Sequence, residues 1–234
     1  VLHNKILAAT ARTRGICHYF PVPHSMSPAD AWKALQEGNE RFVKGEPLQP
    51  NQGIGRREEV SVVQNPHAVL FGCSDSRLAA EIIFDQGLGD MFVVRTAGQV
   101  VDPTVLGSIE YAVDILEVPL IVVLVHSDCG AIAATEKAWQ TGELPAGFIR
   151  TVVDRIMPTI ARVHVNNKLE DITDEMLRRE HVTASVQTLQ SYSRVLADAV
   201  DEGRCAIVGL EYQLSDGRAS LVEVVGDIGQ ETTN

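Results

Sequence analysis

Aromatic residues make up only 5% of this 234-residue chain, and cysteine occurs four times, at positions 17, 73, 129 and 205. Thiols this few and this scattered give no disulfide framework of the kind that staples small secreted domains, and they suit a reducing compartment. Positive charge is also scarce: 20 Lys and Arg stand against 31 Asp and Glu, for a net charge of −11. Such a balance argues against nucleic acid or an anionic membrane as partner and leaves a small ligand as the expectation. No stretch reaches the ~20 consecutive apolar residues of a membrane span. What remains is an ordinary globular composition, 45% hydrophobic and 22% charged, read as one cytoplasmic catalytic domain.

Acid is missing altogether from residues 1–25, which carry Lys5, Arg12 and Arg14. The composition changes at Met26, directly before Ser27-Pro28-Ala29-Asp30 and a helical pattern. Residues 1–25 lack the apolar run and small-residue cleavage site of a secretory signal. They read as a leader or an over-extended translation start that does not pack on the domain, which spans 26–234.

Alternation of elements follows. Ala31, Leu35, Phe42 and Val43 predict an amphipathic helical arm over 28–43, with Ser27 as N-cap and Pro28 in the first turn. Residues 44–58, rich in Gly and Pro, read as a loop without chemistry. Ala68–Gly72, Met91–Val94 and Leu120–Val125 are apolar on both faces, the mark of strands buried in a parallel sheet, with helical crossovers over 79–85 and 103–117. Helices over 148–165 and 174–200 precede a fourth strand, Cys205–Tyr212. A turn at Ser215-Asp216-Gly217 then returns the chain as an antiparallel edge over Leu221–Val225. The expectation is a doubly wound α/β fold, mostly parallel, with about four strands plus that edge.

Two polar motifs stand where apolar runs stop: Cys73-Ser74-Asp75-Ser76-Arg77 and His126-Ser127-Asp128-Cys129-Gly130. Two thiolates and one imidazole fill three positions of a tetrahedral Zn²⁺ site, one ion per chain, and leave the fourth for water or substrate. Both motifs follow parallel strands, so the donors should meet at the carboxyl edge of the sheet, where open α/β folds bind ligands. Gly130 opens an expected helix of small residues whose first N–H groups should face the metal and could hold an anion. Two thiolates neutralise the ion, so water on it should be less acidic than the ~7 of a three-histidine site, and activity should rise with pH. Asp75 either takes the fourth position and closes the site, or forms a bidentate pair with Arg77 and leaves room for hydroxide, whose hydrogen bond it accepts.

With Gly38-Asn39-Glu40-Arg41-Phe42-Val43, Phe92-Val93-Val94-Arg95-Thr96-Ala97-Gly98 and Ser108-Ile109-Glu110-Tyr111-Ala112-Val113 added to the two motifs, the chain resembles the β-class carbonic anhydrases. The resemblance runs over residues 27–230 and is closest to actinobacterial members. It implies reversible hydration of CO₂ to bicarbonate and a proton by zinc-bound hydroxide, with Cys73, His126 and Cys129 as zinc ligands and Asp75 with Arg77 governing the fourth position. It further implies substrate contacts at Gln64, Phe92, Gly98, Tyr111 and Gly130. Gln64 would bond a substrate oxygen, and Phe92 and Tyr111 would form an apolar wall, one of them coming from a neighbouring subunit. The unit implied is a homodimer with sites at the interface, or a tetramer built from two.

Two departures from the family stand out. Val125 occupies the place of a Gly before the metal-binding His: if the backbone there needs φ > 0 activity suffers, and if it is ordinary β, Val125 is one more sheet residue. A bicarbonate-inhibited subclass is matched at Arg95, but Leu70 and Leu78 replace its Trp and Val, which argues against that inhibitory pocket. Cys205 reads as a small buried hydrophobe and Cys17 as a tail thiol. His3, His18, His24, His67, His164 and His181 show no ligand spacing. Rival readings are a hydrolase of carbonyl sulfide or carbon disulfide on the same scaffold, and a non-catalytic zinc or redox-sensing protein. A zinc nucleoside deaminase is excluded by the missing His-x-Glu and Pro-Cys-x-x-Cys elements.

Overall fold

In a computed structural model of the chain, residues 26–229 are described. The segment 1–25, expected to be a leader, lies outside them. The chain folds around one five-stranded sheet: β1 (Ala68–Cys73), β2 (Met91–Thr96), β3 (Leu120–His126), β4 (Ala206–Tyr212) and β5 (Ala219–Val225). Their order is β2-β1-β3-β4-β5, parallel throughout except for the β4–β5 hairpin. The expected mostly parallel sheet with an antiparallel edge is therefore present. Every residue of β1, β3 and β4 is buried, as continuous Val/Ile/Leu runs dictate for strands covered on both faces.

Expectation and structure part at β2. Met91 to Val94 are only half-buried and Arg95 is exposed, because β2 is an edge strand. An apolar run has the same sequence signature at a sheet edge as at its centre. The helices also differ in detail. α1 (Pro28–Lys44) has the predicted Ser27 cap, completed as a capping box by Asp30. The supposed loop contains a turn and a half of helix, α2 (Ile54–Glu59), and the first crossover is a single turn, α3 (Ala80–Ile83). The second crossover, α4 (Pro103–Glu110), widens into a π turn over Tyr111–Ile115. α5 (Gly130–Thr141) and α6 (Ile149–Asn166) follow β3. The long helix expected over 174–200 is two, α7 (Asp174–Tyr192) and α8 (Arg194–Asp201). They break at Ser193, whose hydroxyl caps Leu196 N–H and donates to Glu110 Oε1 at 2.6 Å.

The Gly38–Val43 motif is structural. A Cβ on Gly38 would stand 1.8 Å from the Phe84 carbonyl oxygen, so only glycine lets α1 lie against the turn after α3. Asn39, buried, donates to the carbonyls of Ile83 and Gly217 and accepts from Ala219 N–H, which ties α1 to the β4–β5 hairpin. Arg41 Nε donates to Asp85 Oδ2 at 2.6 Å, and Asp85 also accepts the N–H groups of Leu48 and Gln49. Asp90 does the same for the next stretch through Asn51, Arg56 and Gly87. The segment leading to residue 64 is thus pinned by two buried carboxylates.

Burial works to raise the Asp85 pKa, but the Arg41 guanidinium and the two backbone N–H groups outweigh it, and the carboxyl is held below its usual range. A depressed carboxylate stabilises the fold above its unfolded pKa and loses that contribution as pH falls. Asp85→Asn should therefore cost about 3 kcal/mol in urea unfolding near pH 7. That difference should shrink as pH falls below the ordinary carboxylate range, where the wild-type group protonates; equal stability of the two proteins at neutral pH would refute this role.

Candidate metal centre

The site forms where β1 and β3 lie side by side and their crossovers diverge, one toward β2 and the other toward β4. Gly72 pairs with Leu124, so Cys73 and His126 leave the sheet at the same edge. Cys129 joins them from the N-cap of α5. The two sulfurs and a ring nitrogen of His126 lie within 4.8 Å of one another, and all three residues are buried. His126 Nδ1 lies 2.8 Å from the Ser127 carbonyl, which can only accept, so Nδ1 carries the proton. Nε2 is left with its lone pair, buried and unpartnered. An orphaned nitrogen beside two sulfurs is what a soft, tetrahedral cation such as Zn²⁺ would satisfy, so the donor set fits the expected ion.

The connecting residues hold this edge in shape. Ser127 accepts Leu214 N–H on its hydroxyl and donates its own N–H to Tyr212, which fastens the loop to the β4–β5 turn. Asp128 takes φ +54, a left-handed conformation that Asp tolerates better than most residues. Arg95 reaches across from β2: Nε donates to the Cys73 carbonyl and Nη2 to that of Asp75, at 3.0 and 2.6 Å. It is committed to this loop, and Leu70 and Leu78 beside the motif are buried. Val125 sits inside β3 opposite Glu211 without a positive φ, so it is an ordinary sheet residue.

Of the two thiols, Cys73 is the one whose pKa is lowered. It accepts from Cys129, and, against burial, the backbone N–H groups of Asp75 and Gly98 also lower its pKa. Cys129 is pushed far up, because its S–H donates to that neighbouring sulfur and because it is buried. The first-turn N–H groups of Ala131 and Ile132 point at the Cys129 sulfur. The helix start therefore faces one of the three donors, as the sequence leads one to expect.

Asp75 is half-buried beside this cluster, with Oδ2 4.0 Å from His126 Nε2. Arg77 grips it in a fork, Nε to Oδ1 at 2.9 Å and Nη2 to Oδ2 at 2.7 Å, while the Arg77 backbone N–H adds a third bond at 3.0 Å. Those bonds keep the carboxylate ionised far below its usual range. Of the two arrangements expected, the structure holds the one in which Asp75 is on Arg77.

The substrate residues are spread more widely. Gly98 is buried against Cys73, Gly130 is exposed at the start of α5, and Gln64 is exposed on the stretch entering β1. Phe92 and Tyr111 meet within one chain, with ring centroids 6.3 Å apart. Phe92 pairs with Val69, four residues before Cys73, which puts it about 13 Å down the strand from the metal edge of its own chain.

A family profile described as Carbonic anhydrase matches residues 68–219. The chain is 53% identical over 209 residues to a carbonic anhydrase of Mycolicibacterium smegmatis, covering 89% of this chain and all of that one. The chain belongs to the carbonic anhydrase family. Carbonic anhydrase 2 of Mycobacterium tuberculosis is likewise 53% identical, over 88% of this chain and 98% of its own. Among solved structures, the Coccomyxa β-carbonic anhydrase superposes with a TM-score of 0.64 at 22% identity, over 81% of this chain and 85% of that one. A Sordaria macrospora β-carbonic anhydrase does so with 0.63 at 24%, over 82% and 96%. The fold is that of the β class, as the sequence motifs implied.

Two contributors escaped sequence reasoning. Arg95 was considered only as part of an inhibitory pocket, although an Arg ending an edge strand beside a ligand loop is well placed to tie it. His181, buried on α7, donates Nε2–H to the Gly98 carbonyl at 2.8 Å. Its signal was a His within the apolar stripe Leu177, Val182, Val186 and Leu189.

Two adjacent buried thiols hydrogen-bonded to each other should share a single proton, so metal uptake should release close to one proton per ion at about pH 7. Calorimetry in buffers of different ionisation enthalpy reads this directly. Release of about two would mean that both thiols are protonated in the metal-free protein.

Proposed function

We propose that this member of the carbonic anhydrase family catalyses reversible hydration of CO₂ to bicarbonate and a proton, using one Zn²⁺ held by Cys73, His126 and Cys129. The observation that carries the reading is the Asp75–Arg77 fork beside three preorganised donors, since a purely structural four-ligand site would have Asp75 on the metal and no use for Arg77. Zn²⁺ in this setting would supply a Lewis acid that makes water a source of hydroxide at mildly alkaline pH. Asp75, held ionised by Arg77, can only accept hydrogen bonds, and would so orient the hydroxide donor toward CO₂. Arg77 keeps the carboxylate out of the metal's fourth position. Buried walls around the three ligands exclude bulk water and strengthen these interactions.

The apolar CO₂ wall belongs to a neighbouring copy. Phe92 and Tyr111 lie away from their own chain's metal edge, Tyr111 is 41% exposed, and β2 is an open, half-buried edge. A second copy packed there would cover this surface and receive both rings together, with Gln64 and Gly130 lining the shared cleft. This supports a homodimer, and the Sordaria protein is described as tetrameric. Among the described residues no helix is long and apolar enough to cross a membrane, and with the thiol-poor, acidic composition this favours the cytoplasm.

Stopped-flow CO₂ hydration on protein containing one zinc per chain should be rapid and should rise between about pH 7 and 9. Full zinc occupancy with no hydration across that range would reduce the assignment to a shared fold. Arg77→Ala frees Asp75 to close on the metal, and should lower hydration by about 100-fold or more while zinc stays near one per chain. Loss of the zinc in that variant would contradict the switch.

A further inference from the structure

Behind the ligands lies a second tier of contacts that reaches them through one glycine. Gly98 N–H donates to Cys73 Sγ at 3.3 Å, and the Gly98 carbonyl accepts Nε2–H of His181 at 2.8 Å. A carbonyl cannot donate, so the tautomer is fixed with the proton on Nε2. Burial holds His181 below its ordinary pKa and keeps the ring neutral. Its Nδ1 is buried and unpartnered, an arrangement that costs free energy and therefore calls for a compensating gain.

The backbone that His181 grips is unusual. Gly98 has φ +64 and Gln99, also buried, φ +46, so two successive residues are left-handed. A Cβ on Gly98 would lie 2.6 Å from Ala131 Cβ and 2.8 Å from Ile156 Cδ1, so the turn is pressed flat against α5 and α6. The N–H and C=O of Gly98 belong to different peptide units, so His181 acts on the thiolate by fixing the turn's orientation, since the two groups share no amide through which to polarise each other.

We infer that His181 is a positioning residue of the metal centre: by holding the Gly98 carbonyl it keeps Gly98 N–H aimed at the Cys73 sulfur. This rests on Cys73 being a zinc ligand. An N–H bond to a coordinating thiolate restrains its direction and offsets part of its charge, as outer partners do for other ligands. His181→Leu removes the donor and keeps an apolar body of similar reach. His181→Gln returns an N–H donor from the same place on α7.

The test uses the full chain, with the zinc dissociation constant measured by competition against a chromophoric chelator. Circular dichroism of each zinc-free protein checks folding, and the thiolate-to-metal charge-transfer band of the Co²⁺-substituted protein gives a second readout. His181→Leu should bind zinc about 10- to 100-fold more weakly and shift the cobalt band, while His181→Gln should lie within about threefold of wild type with the band restored. His181 borders a cavity of about 620 Å³ between α4, α6 and α7. If water entering from it replaces the lost donor, the Leu variant will bind like wild type and the inference fails. It fails equally if Gln binds as weakly as Leu, because the ring's shape would then matter and its N–H would not. A wild-type chain that takes up no zinc would instead overturn the metal assignment itself, and this inference with it.

Discussion

Parallel pairing of β1 with β3 is the constraint on which the site depends, because it alone turns two distant motifs into one constellation. The register places Gly72 beside Leu124, and the period of two along a strand makes it unforgiving: a slip by one residue would send every side chain to the opposite face. Cys73 would then turn away from His126. The apolar content of β1, β3 and β4, buried along their whole length, holds these strands at the centre of the sheet, so the packing core and the metal edge are built from the same strands. Helices on both faces cover the sheet, and the open end is left for chemistry.

The centre has a rigid part and an adaptable part. Backbone N–H groups hold the Cys73 sulfur, the Ser127 carbonyl accepts from the imidazole, the Ser127 hydroxyl ties the loop to the β4–β5 turn, and Arg95 braces it across the edge. Asp75 and Arg77, by contrast, are joined mainly to each other, and Arg77 is exposed. On the proposed reading, three donors fixed by the fold and a carboxylate held by one exposed side chain would suit a metal whose inner donors stay constant while one position changes occupant. Preorganisation is placed where the ion needs it, and freedom where exchange occurs.

Much of this was legible in the sequence. The three donors, the Asp75–Arg77 pair and the parallel strands were readable because each combines a residue type of narrow chemistry with a place at a strand end. The edge position of β2 was not, since Met91–Val94 is as apolar as a central strand. Neither was the grouping of Phe92 with Tyr111, which depends on how α4 widens after Glu110. The α7–α8 break depends on Ser193 meeting Glu110 from a distant helix, and Gly98 on two packed helices, α5 and α6. Such features are set by tertiary contacts that no local pattern encodes. Val125 shows the reverse case: a departure from the family's sequence that the backbone absorbs as plain strand.

Topology also sets the order in which the centre comes into being. In-line hairpins close quickly, whereas parallel neighbours such as β1 and β3, or β3 and β4, need long crossovers closed first, and chains rich in such pairings assemble slowly. Cys73 and His126 are neighbours only once that has happened. A cation arriving earlier would meet isolated thiols, so on the proposed metal assignment capture would follow assembly of the scaffold, unlike small zinc modules in which the ion nucleates the fold.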